Sequence, residues 1–192
     1  MLFRSVYLAA DSTVQSYTEA EAPQTGWGQQ LWRCLRGANL CRVDTRPGCP
    51  FPQERRYHLP DLTIDNCAMA GRSSRSFREE GRLDYLVVQF GHNDAYREKA
   101  ERYVAPEAFG ASLQPYLDAA RRHGATCIFV SPVAMRIFDE NGVCHPSFPE
   151  YREAMARFAR QAGAVWLDLG ELTRRPLEHV FRGKITNWKQ VG

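Results

Sequence analysis

Three polar groups that could carry out chemistry stand just after apolar segments of the chain. Asn93 follows the apolar run 83–90, Ser12 follows the apolar N-terminal segment, and Gly71 follows a third such segment. A serine hydroxyl can attack a carbonyl carbon when a base takes its proton. A glycine backbone N–H and an asparagine side-chain amide can donate hydrogen bonds to the oxygen that then gains negative charge. Together these residues make the parts of an acyl-transfer site.

Ser12 by itself does not establish such a site. Serine is one of the preferred residues at helix N-caps, and taken alone this structural role explains Ser12 better than a catalytic one. The functional hypothesis therefore depends on the three groups meeting in space. Whether they do depends on the strands and helices that carry them.

The predicted elements alternate between strands and helices. Five segments are predicted as strands: residues 5–9, 62–66, 83–90, 126–133 and 164–169. Apolar stripes with helical spacing lie between them: Trp27, Leu31, Cys34 and Leu35; Phe109, Leu113, Leu117 and Ala120; and Tyr151, Met155, Phe158 and Ala162. This alternation predicts an α/β fold with a parallel sheet covered on both faces. Ligands of such sheets bind at the carboxyl ends of the strands, where Ser12, Gly71 and Asn93 are expected.

Length and composition are typical of one folded domain, which we expect to span residues 1–192. Hydrophobic residues make up 44% of the chain and charged residues 24%, with a formal net charge of +3. Arginine pairs are scattered and form no dense basic block, so nucleic acid is not an expected partner. No apolar run is long enough to cross a membrane. We interpret the N-terminal segment as a core strand and expect a cytoplasmic location, although a removed leader would leave no trace.

The six cysteines show no pattern typical of a metal site. There is no Cys-x-x-Cys pair and no zinc-like cluster with histidine, and the adjacent Cys144 and His145 do not make one. We expect no metal and no cofactor, because ester hydrolysis by a serine needs neither. Reduced thiols are expected, with a bridge between Cys41 and Cys49 as the alternative if the protein is exported.

Two long segments are predicted as loops. Residues 41–60 are rich in proline and arginine, and residues 138–149 follow a predicted strand. Either loop could wall a substrate cleft, or be a surface insertion without a role. His145 lies in the second loop, at the sheet edge where the site is expected, and is our candidate for a substrate contact.

Four sequence blocks occur in the order and at the spacing of a known family. They are DSTVQ at 11–15, PQTGWGQ at 23–29, NCAMAGRSSRSF at 66–77 and QFGHND at 89–94. With these blocks the sequence resembles the SGNH (GDSL-type) hydrolases, in the branch of the rhamnogalacturonan acetylesterases. The resemblance covers most of the chain, through residue 180.

The resemblance implies both a fold and a set of roles. The implied fold is a three-layer α/β/α sandwich of flavodoxin-like type, with a parallel sheet of about five strands. Ser12 matches the nucleophile, and the backbone N–H groups of Ser12 and Gly71 with the Asn93 amide match the oxyanion hole. Asp11 matches an aspartate that holds the nucleophile turn. His92 corresponds to a wall residue and not to the base.

The family's general base is a histidine in an Asp-x-x-His block before a final helix. Residues 182–192 contain neither histidine nor aspartate, so we expect this chain to lack the block and the closing helix. His179 lies nearest in sequence but on a predicted helix, which makes it a poor substitute. The atypical tail 182–192, with the two residues before it, resembles a segment of periplasmic phosphate-binding proteins.

Three hypotheses follow from these observations. The first is a serine esterase that removes acetyl groups from a small-molecule or oligosaccharide substrate through an acyl-Ser12 intermediate. The second is a catalytically silent carbohydrate-binding or interaction protein on the same scaffold. The third is a truncated or chimeric product, whose missing helix would expose apolar sheet surface and favour a homodimer.

Overall fold

The strands are separated by helices and loops along most of the chain. The computed structural model describes residues 4–46, 48, 51, 53–76 and 83–177. Its strands are β1 (Arg4–Ala10), β2 (Arg42–Thr45), β3 (Arg55–His58), β4 (Leu62–Asn66), β5 (Tyr85–Gln89), β6 (Thr126–Val130) and β7 (Val165–Leu167). They form one seven-stranded sheet in the order β2-β3-β4-β1-β5-β6-β7.

The helices are α1 (Trp27–Gln30), α2 (Pro106–Ser112), α3 (Gln114–Arg122) and α4 (Pro149–Ala162). Short 3-10 turns cover Glu19–Glu21, Leu31–Cys34 and Ala38–Leu40. Residues 169–177 are helical as well. The first apolar stripe therefore forms one α-helical turn followed by a 3-10 turn. The second forms two helices that meet at Leu113, because Pro115 lacks the N–H that a continuous helix would need.

All five predicted strands are confirmed, as is the α/β fold, although three of the strands are shorter than predicted. The segment predicted at 126–133 ends at Val130, since Pro132 cannot donate to a strand ladder. The segment predicted at 164–169 ends at Leu167, because a helix begins at residue 169. The segment predicted at 83–90 forms a strand only from Tyr85 to Gln89.

The five predicted strands pair in parallel, as predicted, but the sheet has seven strands and not about five. The segment 41–60, predicted as an excursion, contributes β2 and β3, which pair antiparallel with each other and with β4. The prolines of this segment argue against strands, yet the sequences of β2 and β3 contain no proline. The sheet is therefore mixed, with two antiparallel strands added at the edge of a parallel core.

The parallel core brings the ends of β1, β4 and β5 to one edge. β1 pairs in parallel with β4 on one side and with β5 on the other. Leu8 lies opposite Asn66 and Ala10 opposite Gln89, so the three strands end almost level. After β1 the chain forms β2, β3 and β4 on one side of β1, and after β4 it crosses to β5 on the other side. Such a switch point forms the crevice in which α/β proteins bind ligands.

The two faces of the sheet are covered unequally. Helices α2, α3 and α4 pack on one face, where Phe129, Tyr116 and Met155 are fully buried. On the other face the segment from Trp27 to Leu35 covers β1 and β4. Val6, Val87 and Ile128 on this second face are only partly buried and line a groove of about 660 Å³.

Several predictions fall outside the described residues. They are the missing Asp-x-x-His block, the missing closing helix, the atypical tail and the role of His179. The single domain over 1–192 and the homodimer also stay predictions. None of the described helices is long and apolar enough to cross a membrane. The cytoplasmic location likewise stays a prediction.

Candidate functional site

The loop after β1, residues 11–26, begins with a tight turn that presents Ser12. Asp11 is fully buried, and its Oδ1 accepts hydrogen bonds from the Thr13 backbone N–H at 2.9 Å and the Thr13 hydroxyl at 2.8 Å. The Val14 N–H donates to the Asp11 carbonyl and closes the turn. The Tyr17 hydroxyl donates to the Ser12 carbonyl at 2.8 Å. Asp11 is therefore bonded within the turn, and its role in holding a nucleophile stays a prediction. The half-buried Ser12 hydroxyl has no hydrogen-bond partner among the described residues.

The loop after β4, residues 67–76, is tied directly to this first loop. The Met69 N–H donates to the Ala10 carbonyl at 3.1 Å, and the Ala70 N–H donates to Gln15 Oε1 at 2.5 Å. The next residue, Gly71, has φ +79°, a left-handed conformation that glycine adopts without steric cost. Gly71 thus directly follows two residues, one bonded to the end of β1 and one bonded to the Ser12 loop.

The loop after β5, residues 90–105, presents the Asn93 amide beside Gly71. Asn93 Nδ2 donates to the carbonyl of Arg72, the neighbour of Gly71, at 2.8 Å. A carbonyl oxygen can only accept, so this contact fixes which end of the amide faces Arg72. The NH₂ group has a second N–H, which remains available to a ligand. The structure therefore brings Asn93 and the Gly71 segment together.

Asp94 is a buried side chain of this third loop that accepts hydrogen bonds. It is fully buried, and its carboxylate accepts hydrogen bonds from the Ser74 N–H at 2.9 Å and the Gly91 N–H at 3.0 Å. The Ser74 hydroxyl donates to it as well. Burial raises the pKa of Asp94, and these hydrogen bonds oppose the shift. The contacts join the second and third loops a second time.

Two polar residues inside the sheet complete the connections, and the sequence reasoning assigned them no role. The Trp27 indole N–H donates to Gln89 Oε1 at 2.7 Å, and Gln89 Nε2 donates to the Thr13 hydroxyl at 2.5 Å. Asn66 Nδ2 donates to the Val14 carbonyl at 2.8 Å. Both Gln89 and Asn66 are fully buried at strand ends. For both residues the sequence did contain a signal of such a role, namely a polar side chain at the end of an apolar strand.

Asn66 also explains a glycine of the 23–29 block. A Cβ at Gly28 would lie 2.5 Å from the Val14 carbonyl oxygen and 2.8 Å from Asn66 Nδ2. No real Cβ fits at those distances, so α1 can approach the Ser12 loop only with glycine at this position.

His92 lies against the Ser12 turn, and its predicted role as a wall residue of the site stays a prediction. Its Nδ1 is 3.5 Å from Asp11 Oδ2, and both atoms are buried without a hydrogen-bond partner. The ring makes an edge-to-face contact with Phe148, with centroids 5.1 Å apart. A separation of 3.5 Å is long for a hydrogen bond, so His92 packs against the Asp11 carboxylate without bonding to it.

His145 lies in the loop after β6, residues 131–148, and is 60% exposed. Its Nε2 is 3.0 Å from Asp139 Oδ2 in the same loop. The pKa of Asp139 is lowered, first by a hydrogen bond from the Val143 N–H and next by one from His145. Within the described residues no hydrogen bond or ion pair joins His145 to Ser12, Gly71 or Asn93. The predicted substrate contact stays a prediction.

A buried charge network supports the second loop from the side of β2 and β3. Arg72 Nη2 lies 3.2 Å from Glu54 Oε1, and Arg46 Nη1 lies 3.2 Å from Glu54 Oε2. Arg72 also donates to the Cys67 carbonyl. Glu54 is buried between two cations, so each charge has a compensating partner. The antiparallel strands that sequence reasoning missed thus fix the segment that leads to Gly71.

The described residues contain no group of three or more His, Cys, Asp or Glu side chains that could hold a metal ion. The five described cysteines, at positions 34, 41, 67, 127 and 144, are free thiols. Burial raises the pKa of the Cys127 thiol to about 12, so it stays protonated. Cys49, the partner in the alternative bridge to Cys41, lies outside the described residues.

Sequence comparison finds relatives with acetylesterase names. The model of the GDSL-like lipase/acylhydrolase family matches residues 11–191. The chain is 38% identical to the Bacillus subtilis protein named probable rhamnogalacturonan acetylesterase YesY, over 86% of this chain and 70% of YesY. It is 34% identical to rhamnogalacturonan acetylesterase RhgT of the same organism, over 85% of this chain and 64% of RhgT. The chain thus spans about two thirds of the length of these relatives.

Solved structures share the fold at low sequence identity. The protein YxiM of Bacillus subtilis superposes with a TM-score of 0.71 at 21% identity, over 94% of this chain and 47% of YxiM. Axe2, an acetylxylan esterase from Geobacillus stearothermophilus, gives a TM-score of 0.61 at 14% identity, over 94% of this chain and 81% of Axe2. At these identities the likeness establishes the fold alone.

Proposed function

Because the chain belongs to the GDSL-like lipase/acylhydrolase family, we propose that it is a serine esterase that removes acetyl groups from carbohydrate. The observation that carries the proposal is the joining of three loops at one sheet edge. Hydrogen bonds from Met69 and Ala70 tie the second loop to the first, and the Asn93 amide ties the third to the second. The named acetylesterases among the relatives supply the substrate class.

In the proposed mechanism the Ser12 hydroxyl attacks the acetyl carbonyl carbon while a base takes its proton. The carbonyl oxygen becomes an oxyanion that accepts hydrogen bonds from the Ser12 and Gly71 N–H groups and from the Asn93 amide. Each fixed donor of this kind stabilises the transition state by about 2.7–4 kcal/mol. Collapse of the intermediate releases the sugar alcohol, which takes up a proton. Water then hydrolyses acetyl-Ser12 to acetate and the free serine.

The rate of ester hydrolysis depends on the general base that takes the Ser12 proton. Of the four described histidines, His92 is the one that contacts the Ser12 turn, through Asp11, and no histidine ring hydrogen-bonds the Ser12 hydroxyl. In serine hydrolases the loss of the base can lower kcat by about 10⁶, leaving a rate about 10³–10⁴ above that in water. If no other group takes the Ser12 proton, we expect slow turnover that depends on Ser12.

The test is hydrolysis of a chromogenic acetyl ester by the wild-type chain and by Ser12→Ala. We expect the substitution to remove the activity, and mass spectrometry of the wild-type chain to detect one acetyl group on Ser12. Asn141→Ala, an exposed position in the fourth loop, is the matched control and should keep the wild-type rate. Equal rates for wild type and Ser12→Ala would exclude the proposed nucleophile.

A catalytically silent carbohydrate-binding protein is the second candidate. It is favoured by the Ser12 hydroxyl, which has no histidine partner among the described residues. Calorimetry with acetylated oligosaccharides separates the two candidates. Binding without release of acetate supports the silent protein, whereas acetate release that depends on Ser12 excludes it.

A further inference from the structure

The third loop returns to the site after Asn93 and brings an arginine over Gly71. The backbone of 96–103 folds into consecutive turns, in which the N–H groups of Arg102 and Tyr103 both donate to the Lys99 carbonyl at 2.9 Å. A Cβ at Gly71 would lie 2.9 Å from Arg102 Cζ and 3.0 Å from each of Nη1 and Nη2. Three nearly equal distances mean that the flat face of the guanidinium covers Gly71.

Because the face of the Arg102 guanidinium lies on Gly71, its edge remains accessible to a ligand. The N–H groups of an arginine lie in the plane of the guanidinium and point outward from its edge. The only charged partner of Arg102 among the described residues is Glu101, whose Oε1 is 3.7 Å from Nε. The Glu101 side chain is 65% exposed, and such a surface pair contributes little. Nη1 and Nη2 therefore have no acceptor within the described residues.

We propose that Arg102 determines specificity by binding a sugar carboxylate next to the ester under attack. This inference rests on the proposed function, in which the Gly71 N–H faces the reacting oxygen. Rhamnogalacturonan, named for the two relatives, is built in part from galacturonate, a sugar with a carboxylate. A planar guanidinium matches a carboxylate with two parallel hydrogen bonds, which a lysine cannot do. Its 40% exposed side chain is open to such a ligand.

The position of Arg102 also explains why the contact would select a substrate and not only attract anions. The guanidinium lies on the glycine whose N–H is the proposed oxyanion donor, so a bound carboxylate would fix the sugar relative to the reacting carbonyl. Other cations of this loop, such as Arg97 and Lys99, are exposed, and within the described residues no hydrogen bond joins their side chains to Gly71 or Asn93. They attract an acidic polymer without orienting it.

Binding of unacetylated trigalacturonate, measured by calorimetry with the full chain, tests the proposal without any turnover. Galactotriose, which lacks the carboxylates, is the neutral control ligand. We expect Arg102→Ala to weaken trigalacturonate binding by about tenfold or more, since it removes a charge-assisted hydrogen-bond pair. Arg97→Ala removes the same charge from the same loop and should change the affinity by less than about threefold. Arg102→Lys should bind with an intermediate affinity.

Each outcome decides the proposal independently of esterase activity. Unchanged affinity in Arg102→Ala would overturn it, as would an equal loss in Arg97→Ala, which indicates general charge attraction. Equal affinity of the wild-type chain for trigalacturonate and galactotriose would overturn it as well. If Arg102→Ala does not melt cooperatively, Arg102→Met is tested in its place, because methionine keeps an apolar side chain over Gly71. An active esterase that does not discriminate the two ligands would leave the proposed function standing while this inference falls.

Discussion

The loops at the carboxyl edge of the sheet differ in how they are held. The three loops after β1, β4 and β5 are bonded to one another through buried groups, including Gln15, Asn66 and Asp94. The fourth loop, after β6, is bonded mainly within itself, as in the pair of Asp139 and His145. Polar groups are costly to bury unless each is paired, so the first three loops form one connected network.

This difference suggests that the first three loops and the fourth loop have different roles. A donor that stabilises an oxyanion must already point at it before the reaction, because reorientation during the reaction would consume the gain. The first three loops meet this requirement through their mutual hydrogen bonds. An exposed residue on a loop with its own internal bonds, such as His145, is suited to contact the outer parts of a substrate. Equivalent substitutions in the two regions should therefore have unequal effects.

The largest effect is expected for Asn93→Ala. The variant loses both the proposed oxyanion donor and the hydrogen bond to the Arg72 carbonyl. We expect kcat for a chromogenic acetyl ester to fall by about 10²–10³, with a smaller change in KM. Asn141→Ala removes the same amide from the fourth loop, where its side chain is exposed. A kcat for Asn93→Ala within threefold of that of Asn141→Ala would mean that Asn93 is not a donor.

The second-largest effect is expected for the hydrogen bonds between the loops, and it is measured as a change in the free energy of unfolding. Asn66 donates to the Val14 carbonyl and to the Ser16 hydroxyl, and its Oδ1 accepts from the Ala68 N–H. Asn66→Ala leaves these buried groups without partners, so we expect the free energy of unfolding to fall by about 2–3 kcal/mol in urea denaturation. Asn141→Ala should change it by less than about 0.5 kcal/mol. Similar values for the two variants would contradict the network.

The sequence predicted the positions of the parallel strands well, because long apolar runs have few alternatives to a buried sheet. It did not predict β2 and β3. Each is short, polar and paired at the sheet edge, and the prolines between them resemble those of a loop.

What the sequence could not supply was the pairing of polar groups across loops. Gln89 lies 76 residues from its partner Thr13, and Asn66 lies 52 residues from Val14. No local pattern encodes such contacts, since they depend on strand register. The position of Arg102 over Gly71 is of the same kind. The glycine is visible as a motif residue, but the group that covers it becomes visible only in the fold.

A smaller effect is expected at the base of the fourth loop. Arg152 pairs with both carboxylate oxygens of Asp168, which also accepts from the Ser131 hydroxyl at 3.0 Å. The Arg152 contact is the main cause that lowers the pKa of Asp168. A lowered folded-state pKa stabilises the fold above the ordinary aspartate pKa of about 3.9, and this contribution is lost as the pH falls through the lowered value.

We therefore expect Asp168→Asn to reduce the free energy of unfolding by about 1 kcal/mol at pH 7. The difference from the wild-type chain should shrink as the pH falls below about 4. Glu153→Gln, which removes a carboxylate from the exposed side of α4, is the control and should show no such convergence. A difference that stays constant from pH 7 to pH 3 would contradict the role of the ion pair.

The smallest effect is expected for His145→Ala, and it separates the two regions most directly. The ring is exposed and pairs with Asp139 at the surface, so its loss should change the free energy of unfolding by less than about 0.5 kcal/mol. If His145 contacts the outer part of a substrate, KM should rise a few fold for an acetylated oligosaccharide and stay constant for a small chromogenic ester. His123→Ala, just before β6 at the opposite edge of the sheet, is the control and should alter neither KM. A fall in kcat for the small ester in His145→Ala would instead join the fourth loop to the reacting centre, because a small ester has no outer part for His145 to contact.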